Sequence, residues 1–345
     1  MTAAAGVADV ERALAHYAGI VAEAIDDLLG RQRPAAYLSD LVDDYPRRGG
    51  KGIRSALVLA ACRAYGGSVR EGLGPAVAIE LLHNAFLVHD DVEDGSTLRR
   101  GRPTLHELHG APLAVNAGDA LAIVALQALG DWSVLGARVS RQIAGELLAM
   151  LRQTTEGQAL ELGWRRDNVI DLTVVDYLTL VAKKTCCYTS VAPLRIGALA
   201  GSRGTASLGG LTRFGFYLGA AFQIRDDLLS VVGVEEMHGK DALDDIREGK
   251  RTLMLLHVLA AASAEERAWL VAYLASPEAA RSPDDVERVR DLMQRHGSVA
   301  FAQEIAAGIE LAATAALDAA FAEVPDSPHV AFIRGLVPYM LARSL

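Results

Sequence analysis

The sequence predicts an all-α protein built as one large helical bundle, and three observations support this. Apolar residues recur at three- and four-residue spacing along most of the chain, as in Val77, Leu81, Leu82, Leu87 and Val88, which is the period of an amphipathic helix. Alternating polar and apolar runs bounded by turn signals, the pattern of a strand, are scarce. Of the 345 residues, 51% are hydrophobic and 22% are charged, so the chain can bury a large core.

The breaks between the expected helices are short, and none has the length of a flexible linker. They fall at residues 47–50, 101–103, 201–204 and 276–277, where glycine and proline punctuate the helical pattern. No repeat of fixed period and no low-complexity tract beyond alanine-rich helices is visible. We therefore expect residues 1–345 to form a single domain.

Charge and cysteine content argue against several classes of protein. The chain has 43 acidic and 34 basic residues and a net charge of -9, so a broad nucleic-acid-binding surface is not expected. Its three cysteines contain no CxxC pair, and they give neither a disulfide framework nor a zinc-site spacing, which suits the reducing cytoplasm. No secretory signal is visible, and no uninterrupted apolar stretch reaches the roughly 20 residues that span a bilayer. We expect a cytoplasmic protein with no nucleic-acid partner and no membrane span.

A first acidic cluster closes an apolar helical run. It reads DDVED over residues 90–94 and follows ELLHNAFLVH. Asp90 and Asp94 are four residues apart and share a helix face, where the negative end of the helix dipole makes a pair of carboxylates unfavourable. A compensating cation is therefore expected. Carboxylate oxygens suit Mg²⁺, which also accepts phosphate oxygens and water.

A second acidic pair, Asp226 and Asp227, is also expected to end an apolar helix, with Gln223 one turn earlier and Ser230 one turn later. Neither cluster has the alternating Asp/Asn, central Gly and terminal Glu of an EF-hand loop. Two acidic helix ends far apart in sequence can face each other across one cavity and hold a diphosphate through bridging metal ions. Each cluster alone is equally compatible with a solvated helix end.

Basic residues lie before, between and after the acidic clusters. Lys51 and Arg54 follow a glycine pair at an expected helix start, where backbone amides and cations form an anion site. Arg99 and Arg100 follow the first cluster by one loop, and arginine makes bidentate contacts to phosphate. Further candidates on later segments are Lys183, Lys184, Lys240 and Lys250. The alternatives are a solvated helix start, an exposed basic loop and lysines that extend to solvent.

Taken in order, these motifs resemble those of the trans-isoprenyl diphosphate synthases, the polyprenyl synthetase family. The motifs are GGKGIR, DDVED, RRGRPTLH, GDAL, KKT, FQIRDD and GKDALDDIREGKRT. The similarity runs from about residue 51 to residue 252. Within the family, HNAFLVHDDVEDGS and EGKRTLMLLH resemble the short-chain members, especially the geranylgeranyl diphosphate synthases.

The resemblance implies a helical bundle around a deep central cavity, usually as a homodimer, that uses Mg²⁺ to join isopentenyl diphosphate to dimethylallyl, geranyl or farnesyl diphosphate. The residues implied for the diphosphate of isopentenyl diphosphate are Lys51, Arg54, His83 and Arg100. Those implied for Mg²⁺ are Asp90, Asp94 and Asp226, with Asp91, Asp227 and Asp245 contributing through water or hydrogen bonds. Those implied for the allylic diphosphate are Arg99, Lys184, Thr185, Gln223 and Lys240, with Lys250 closing over it. Together with Lys184, the five Asp residues of the two clusters are the catalytic candidates.

Product length is expected to depend on residues about one turn before Asp90. Phe86 lies four residues before it and Ala85 five. In the family, a bulky residue here acts as the floor of the cavity, and a small one leaves the cavity open. The two positions therefore disagree. The wider resemblance favours a twenty-carbon product, geranylgeranyl diphosphate, over the fifteen-carbon product of a farnesyl diphosphate synthase.

Three places depart from the motifs of the family. Gly52 and Ser55 stand where arginine and proline are usual, Ser230 stands where the second acidic motif closes with aspartate, and Cys186 and Cys187 follow the KKT motif. Two other functions stay open. A class I terpene cyclase of the same fold would have no need of the isopentenyl diphosphate residues, and a non-catalytic regulatory subunit would have no need of intact acidic clusters.

Overall fold

The computed structural model describes residues 6–31, 35–130, 133–232 and 243–341, and within them the all-α prediction is confirmed apart from two short strands. The helices are α1 (Val7–Gly30), α2 (Ser39–Arg47), α3 (Ile53–Ala64), α4 (Val69–Asp94), α5 (Leu105–His109), α6 (Ala111–Ala128), α7 (Gly136–Arg166), α8 (Val174–Val181), α9 (Ala192–Gly201), α10 (Gly209–Val232), α11 (Asp244–Glu248), α12 (Leu253–Ala261), α13 (Ala264–Ala275), α14 (Pro283–Arg295), α15 (Ser298–Ala320) and α16 (Pro328–Leu341). A π-helical segment, Ala182–Val191, joins α8 to α9, and a 3₁₀ turn, Glu278–Ala280, precedes α14.

The core consists of two clusters of buried apolar side chains, and α10 contributes to both. Phe214 and Leu218 belong to the first, with residues of α1, α3, α4, α6, α7, α9 and α16. Ile224 and Leu228 belong to the second, with residues of α8 and α11 to α15. Full burial of such a side chain stabilises the fold by about 1.5–3 kcal/mol. The two halves of the core therefore share α10, the helix that carries the second acidic pair, and also α15, which places Ala313 in the first cluster and Ala306 in the second.

The segment after α4 is a β-hairpin where the sequence predicted a loop. Strand β1 (Leu98–Arg99) pairs antiparallel with β2 (Arg102–Pro103). Arg100 and Gly101 form its turn with positive φ angles of 55° and 72°, a region that glycine enters freely and other residues rarely. This tight turn folds the basic run back toward α4 and α2.

The two acidic clusters occupy different places on their helices. α4 ends at Asp94, as predicted. The prediction that the second pair ends its helix is wrong, because α10 continues to Val232, six residues beyond Asp226. The reason is that Leu228 and Val231 are buried and continue the apolar pattern past the carboxylates.

Two of the described helices, α6 and α15, are long and apolar enough to cross a membrane by length and composition alone, with mean hydropathies of 1.4 and 1.3. The expectation of no membrane span is therefore not confirmed on these criteria. In the fold α6 packs against α4, and α15 packs against α10. Core helices of soluble proteins share these properties.

Candidate active site

The carboxylates of the first acidic cluster point to two sides of α4. Asp90 is half-buried, and the side chain of Asp94 is only 1% exposed. These two residues are one turn apart and therefore lie on the same face, while Asp91 is rotated away from them by about 100°. The face of Asp90 and Asp94 meets α7, and the face of Asp91 meets α2 and the hairpin.

Asp91 is fully buried and connects α4 to α2 and to the hairpin. Its carboxylate accepts hydrogen bonds from the Tyr45 hydroxyl and from the guanidinium of Arg99, whose Nε lies 2.9 Å from Oδ1. Burial, and then the bond to Asp91, raise the pKa of Tyr45 well above its usual value. Nε and Nη2 of Arg99 are thus both directed to Asp91, on the side of α4 away from Asp94.

Asp94 sits among cations from two other elements. Nη2 of Arg165, in the last turn of α7, donates to Asp94 Oδ1 at 2.7 Å. Lys250 Nζ lies 3.7 Å from Oδ2, yet among the described residues no donor makes a hydrogen bond to that buried oxygen. Asp94 therefore has one oxygen held by the protein and one oxygen available as a ligand.

Lys184 lies between two carboxylates. Its Nζ donates to Glu161 Oε1 at 2.7 Å and is 3.6 Å from Asp90 Oδ1. Burial opposes its charge, but the carboxylates of Glu161 and Asp90 outweigh burial and raise the pKa of Lys184 well above its usual value. The lysine is therefore a fixed positive charge next to the first cluster.

The KKT motif lies in the π-helical segment and not in a regular α-helix. Such segments often occur at functional sites. α7 approaches this segment closely at Gly157, where a Cβ would lie 2.5 Å from the backbone nitrogen of Lys184. Glycine at position 157 therefore lets α7 bring Glu161 within reach of Lys184.

The second acidic pair is divided between the protein interior and the solvent. Asp227 is buried and accepts hydrogen bonds from Tyr177 Oη at 2.8 Å and Gln223 Nε2 at 2.7 Å. Gln223 Oε1 in turn accepts the hydroxyl of Thr185 at 2.8 Å. Burial, and after it the carboxylate of Asp245, raise the pKa of Asp227 to about 7. Asp227 thus links α10 to α8 and the π-helical segment.

Asp226, one residue earlier, is exposed. Its side chain is therefore accessible from solvent, unlike that of Asp227. Lys240, which the resemblance assigns to the allylic diphosphate, lies outside the described residues.

Lys250 follows α11 in a turn rich in carboxylates. Its Nζ lies 2.7 Å from Glu248 Oε2 and 3.1 Å from Asp245 Oδ1, in addition to the contact with Asp94. Burial opposes its charge, but Asp245, Asp94 and Glu248 together raise the pKa of Lys250 well above its usual value. Lys250 therefore connects the turn after α11 with the end of α4.

A separate cationic group is centred on Arg54. Its Nη2 donates to the hydroxyls of Tyr188 at 2.9 Å and Thr189 at 3.0 Å, and its Nη1 is 3.3 Å from His83 Nε2. Burial, and then the guanidinium of Arg54, lower the pKa of His83 well below its usual value. The neutral imidazole can therefore accept a hydrogen bond from the guanidinium through one ring nitrogen and donate one to an anion through the other.

Arg100 and Lys51 flank the same segment as Arg54. Arg100 Nη1 donates to the backbone oxygen of Tyr45 at 3.4 Å, and a Cβ at Gly50 would lie 2.8 Å from its Nη2, so its guanidinium crosses the GGK motif. Lys51 is exposed, with Nζ 5.5 Å from the centroid of the Tyr339 ring in α16. The start of α3, the hairpin turn and α16 thus come together around these two cations.

The two residues expected to control product length, Ala85 and Phe86, differ in how deeply they are buried. Ala85 is fully buried in the core. Phe86 is half-buried and meets Tyr188 edge to face, with ring centroids 5.7 Å apart. Since Tyr188 also accepts a hydrogen bond from Arg54, Phe86 is next to the cationic group.

Among the site residues that were missed in the sequence, which include Glu248 and Tyr188, three lie on α7. Glu161 and Arg165 contact Lys184 and Asp94 as described, and Gln158 Nε2 donates to Asp90 Oδ1 at 3.2 Å. A signal was present, since these positions are three and four residues apart and therefore share one helix face. A polar stripe along a long helix is also what a solvated face looks like, so the spacing alone did not distinguish the two.

The site around Asp94 holds more carboxylates than cations. Arg165, Lys184 and Lys250 face five carboxylates, which are Asp90, Asp94, Glu161, Asp245 and Glu248. No three His, Cys, Asp or Glu side chains among the described residues form a closed metal site. Oxygen-only donors, an unoccupied buried carboxylate oxygen and an excess of negative charge fit a hard divalent cation that arrives with a phosphate ligand.

Comparison with known proteins gives matches to a single family. A family model described as polyprenyl synthetase matches residues 35–293. The chain is 35% identical over 261 residues to a short chain isoprenyl diphosphate synthase of Methanothermobacter thermautotrophicus, covering 75% of this chain and 77% of that protein. It is 33% identical over 259 residues to a geranylgeranyl diphosphate synthase of Saccharolobus solfataricus, covering 75% and 76%. A polyprenyl synthase of Caulobacter crescentus CB15, solved with calcium and isoprenyl diphosphate, superposes with a TM-score of 0.86 over 100% of both chains at 28% identity.

Proposed function

The chain belongs to the polyprenyl synthetase family, and we propose that the residues around Asp90, Asp94 and Asp226 form its active site. The chain is a short-chain trans-prenyltransferase, which joins isopentenyl diphosphate to an allylic diphosphate. The observation that carries the site assignment is the position of Lys184 and Lys250, each held against a carboxylate of the first acidic cluster. Here the carboxylates could bind divalent cations, and the two lysines could contact the diphosphate that those cations coordinate.

The allylic diphosphate is proposed to lie on the side of Lys184, Thr185 and Gln223, with Lys250 closing over it. Isopentenyl diphosphate is proposed to lie on the side of Arg54, His83, Arg100 and Lys51. Mg²⁺ would be held by Asp90, Asp94 and Asp226, and when bound it supplies Lewis-acid stabilisation of the departing diphosphate.

The charged side chains act on the leaving group. Lys184 and Lys250 are fixed cations that stabilise the negative charge appearing on the diphosphate oxygen as the allylic carbon–oxygen bond breaks. The double bond of isopentenyl diphosphate then supplies the electron pair for the new carbon–carbon bond. A proton leaves the condensed product for the released diphosphate. An apolar cavity beyond these residues would exclude water, which would otherwise capture the allylic cation.

A class I terpene cyclase, the alternative left open by the sequence, would share the metal residues. It has no use for the group formed by Arg54, His83 and Tyr188. Incubation with geranylgeranyl diphosphate and Mg²⁺, without isopentenyl diphosphate, separates the two functions. We expect no hydrocarbon and no release of diphosphate, and a hydrocarbon product would instead support the cyclase.

We propose geranylgeranyl diphosphate as the product, because the matched relatives include synthases of that product. Phe86→Ala is expected to lengthen the product by at least one five-carbon unit if the Phe86 ring closes the cavity. Chromatography of the dephosphorylated products measures this, with Phe301→Ala, on the distant α15, as the control.

Unchanged length in Phe86→Ala would place the floor elsewhere, such as at the end of α6. There Ala128 and Leu129 line a cavity of about 380 Å³ with Gly74, Pro75 and Val77 of α4. Pro75 lies fifteen residues before Asp90, or roughly 22 Å along a helix. A longer chain that followed α4 would reach the level of this cavity.

We further propose that the protein is a homodimer formed through α6. One face of this helix packs against α4, while Val115, Ile123 and Leu126 on another face are exposed, with Ile123 59% exposed. Leu148 on α7 is 62% exposed. Apolar side chains grouped on a surface mark interaction sites more often than single ones do.

The double variant Ile123→Glu/Leu126→Glu is expected to be monomeric, because two buried charges without partners would oppose the interface. Light scattering coupled to gel filtration measures the mass. Leu311→Glu is the matched control, since Leu311 is a single exposed leucine on α15, 76% exposed. An unchanged mass in the double variant would place the interface elsewhere or show that the chain is monomeric.

The remaining expectations follow from the same family membership. We propose that residues 1–345 form one domain, because α10 contributes to both clusters of the core. We also propose a soluble cytoplasmic protein, in which the apolar length of α6 is used for packing against α4 and for the dimer interface. Nucleic acid is not proposed as a partner.

A further inference from the structure

We propose that Arg165 is a positioning residue, which holds the carboxylate of Asp94 so that its Oδ2 is presented to the metal at the first acidic cluster. This inference rests on the proposed function, since it concerns the same site. Arg165 lies in none of the motifs that identified the family.

The contact between the two side chains is buried and directional. Nη2 of Arg165 lies 2.7 Å from Oδ1 of Asp94, and the two side chains are 15% and 1% exposed. Because Oδ1 is held, the carboxylate cannot turn freely about its last torsion angle. Oδ2 is the oxygen that lacks a hydrogen-bond donor among the described residues, so it is the one left for a ligand.

The same guanidinium reaches a second element. Nη1 of Arg165 lies 3.6 Å from Oε2 of Glu248, which is itself 2.7 Å from Lys250 Nζ. Arg165 therefore spans the end of α4 and the turn after α11. Arginine can do this because its planar group carries donors on separate nitrogens, whereas lysine presents one point charge.

An ion pair with only a structural role would behave differently when broken. It would lower the stability of the fold and leave the metal affinity of the folded protein unchanged. Groups that orient a metal ligand instead change affinity by about ten- to a hundredfold when they are replaced. Metal affinity, measured directly on folded protein, therefore distinguishes the two roles.

The test compares Arg165→Gln with Arg166→Gln. Arg166 is the adjacent arginine, 77% exposed and paired with its neighbour Asp167, so it controls for loss of one positive charge at the end of α7. Mn²⁺ binding in the presence of inorganic diphosphate is measured by calorimetry, at a temperature where circular dichroism shows both variants folded. We expect Arg165→Gln to bind Mn²⁺ about ten- to a hundredfold more weakly than wild type, Arg166→Gln to match wild type, and Arg165→Lys to fall between them.

The Mg²⁺ dependence of turnover gives an independent readout. In Arg165→Gln the half-activating Mg²⁺ concentration should rise by a similar factor, while KM for isopentenyl diphosphate stays near that of wild type. Mn²⁺ affinity in Arg165→Gln equal to that in Arg166→Gln would overturn the inference.

If Arg165→Gln does not fold, Arg165→Lys is compared in the wild-type and Asp94→Asn backgrounds. A loss of Mn²⁺ affinity in the wild-type background alone supports action through Asp94. An equal loss of Mn²⁺ affinity in both backgrounds would overturn the inference that Arg165 acts through Asp94. Failure of the function is distinguishable, because a protein whose Mn²⁺ affinity depends on Arg165 but which condenses no substrates would retain this inference and lose the proposed function.

Discussion

Asp90→Ala is expected to lower kcat by at least about 10²–10³-fold, because stabilisation of a departing charge usually contributes more to catalysis than any other single effect. Asp90 is a proposed metal ligand, and its carboxylate lies 3.6 Å from Lys184 Nζ. The variant removes one ligand and leaves Lys184 with a single carboxylate partner. Steady-state rates at saturating substrate and Mg²⁺ measure the effect.

Glu93→Ala is the matched control, because Glu93 belongs to the same DDVED motif and shares the donor Gln158 Nε2, at 2.6 Å, but is exposed and is not a proposed metal ligand. It should retain activity near that of wild type. Asp226→Ala should behave as Asp90→Ala does, since both are assigned to the metal. Near-normal turnover in Asp90→Ala or Asp226→Ala would contradict a site built from two acidic clusters.

Gly157→Ala is expected to destabilise the protein by about 1–3 kcal/mol or more, the usual cost of forcing extra atoms into a close-packed interface. A Cβ at position 157 would lie 2.5 Å from the backbone nitrogen of Lys184 and 2.7 Å from its Cα. Both are backbone atoms, so no side-chain rotation relieves the clash. α7 and the π-helical segment must separate, which moves Lys184 away from Glu161 and lowers activity as well as stability.

Gly163→Ala, on the same helix, is the control for this variant. Apart from the neighbouring backbone of α7 itself, no atom of the described residues lies within 4 Å of a Cβ there, and alanine favours a helix over glycine by about 0.5–1 kcal/mol. Urea denaturation should therefore show Gly163→Ala to be as stable as wild type or more stable. Equal stability of the two variants would mean that the close approach of α7 to Lys184 is not required.

The parts of the fold that could be predicted are those that depend on local pattern. The apolar period before Asp90 predicted a buried helix that ends at the first acidic cluster, and α4 does end there. The same reasoning failed for the second pair, since α10 runs on to Val232. A carboxylate pair within an apolar run marks a helix end only if the pattern stops, and here Leu228 and Val231 continue it.

The different contacts made by Asp91 and Asp94 could not be predicted, because each carboxylate contacts a residue that is distant in sequence. Asp91 accepts a hydrogen bond from Tyr45, which is 46 residues away in sequence. Asp94 is held by Arg165, 71 residues away. Helix spacing places Asp91 on a different face from Asp94, but it does not say which face meets the cavity.

The π-helical segment likewise has no local signature. Its shape accompanies close contacts on two sides, from Gly157 of α7 and from Gly219 of α10, where a Cβ would lie 2.7 Å from Cys186 Cα. A small side chain at position 186 suits this approach. Cys186 is buried and Cys187 is half-buried.

The departures at the start of α3 have a structural basis. Gly52 precedes the helix with φ 60°, and a Cβ there would lie 3.0 Å from Ala18 Cβ, so glycine suits both the conformation and the space. Ser55 is fully buried, and its hydroxyl donates to Glu80 at 2.7 Å and to the Gly52 carbonyl at 3.1 Å.

The third departure, Ser230, lies on α10. Its hydroxyl donates to the backbone oxygen of Asp227 at 3.1 Å.

Prenyltransferase activity is tested most directly by incubating the purified protein with labelled isopentenyl diphosphate and each allylic diphosphate in turn. Products are dephosphorylated and separated by chain length, with Mg²⁺ present, removed by a chelator, and restored. We predict incorporation of label into a twenty-carbon prenyl product that requires Mg²⁺. No incorporation with dimethylallyl, geranyl or farnesyl diphosphate, or incorporation that persists without divalent metal, would contradict the proposed function.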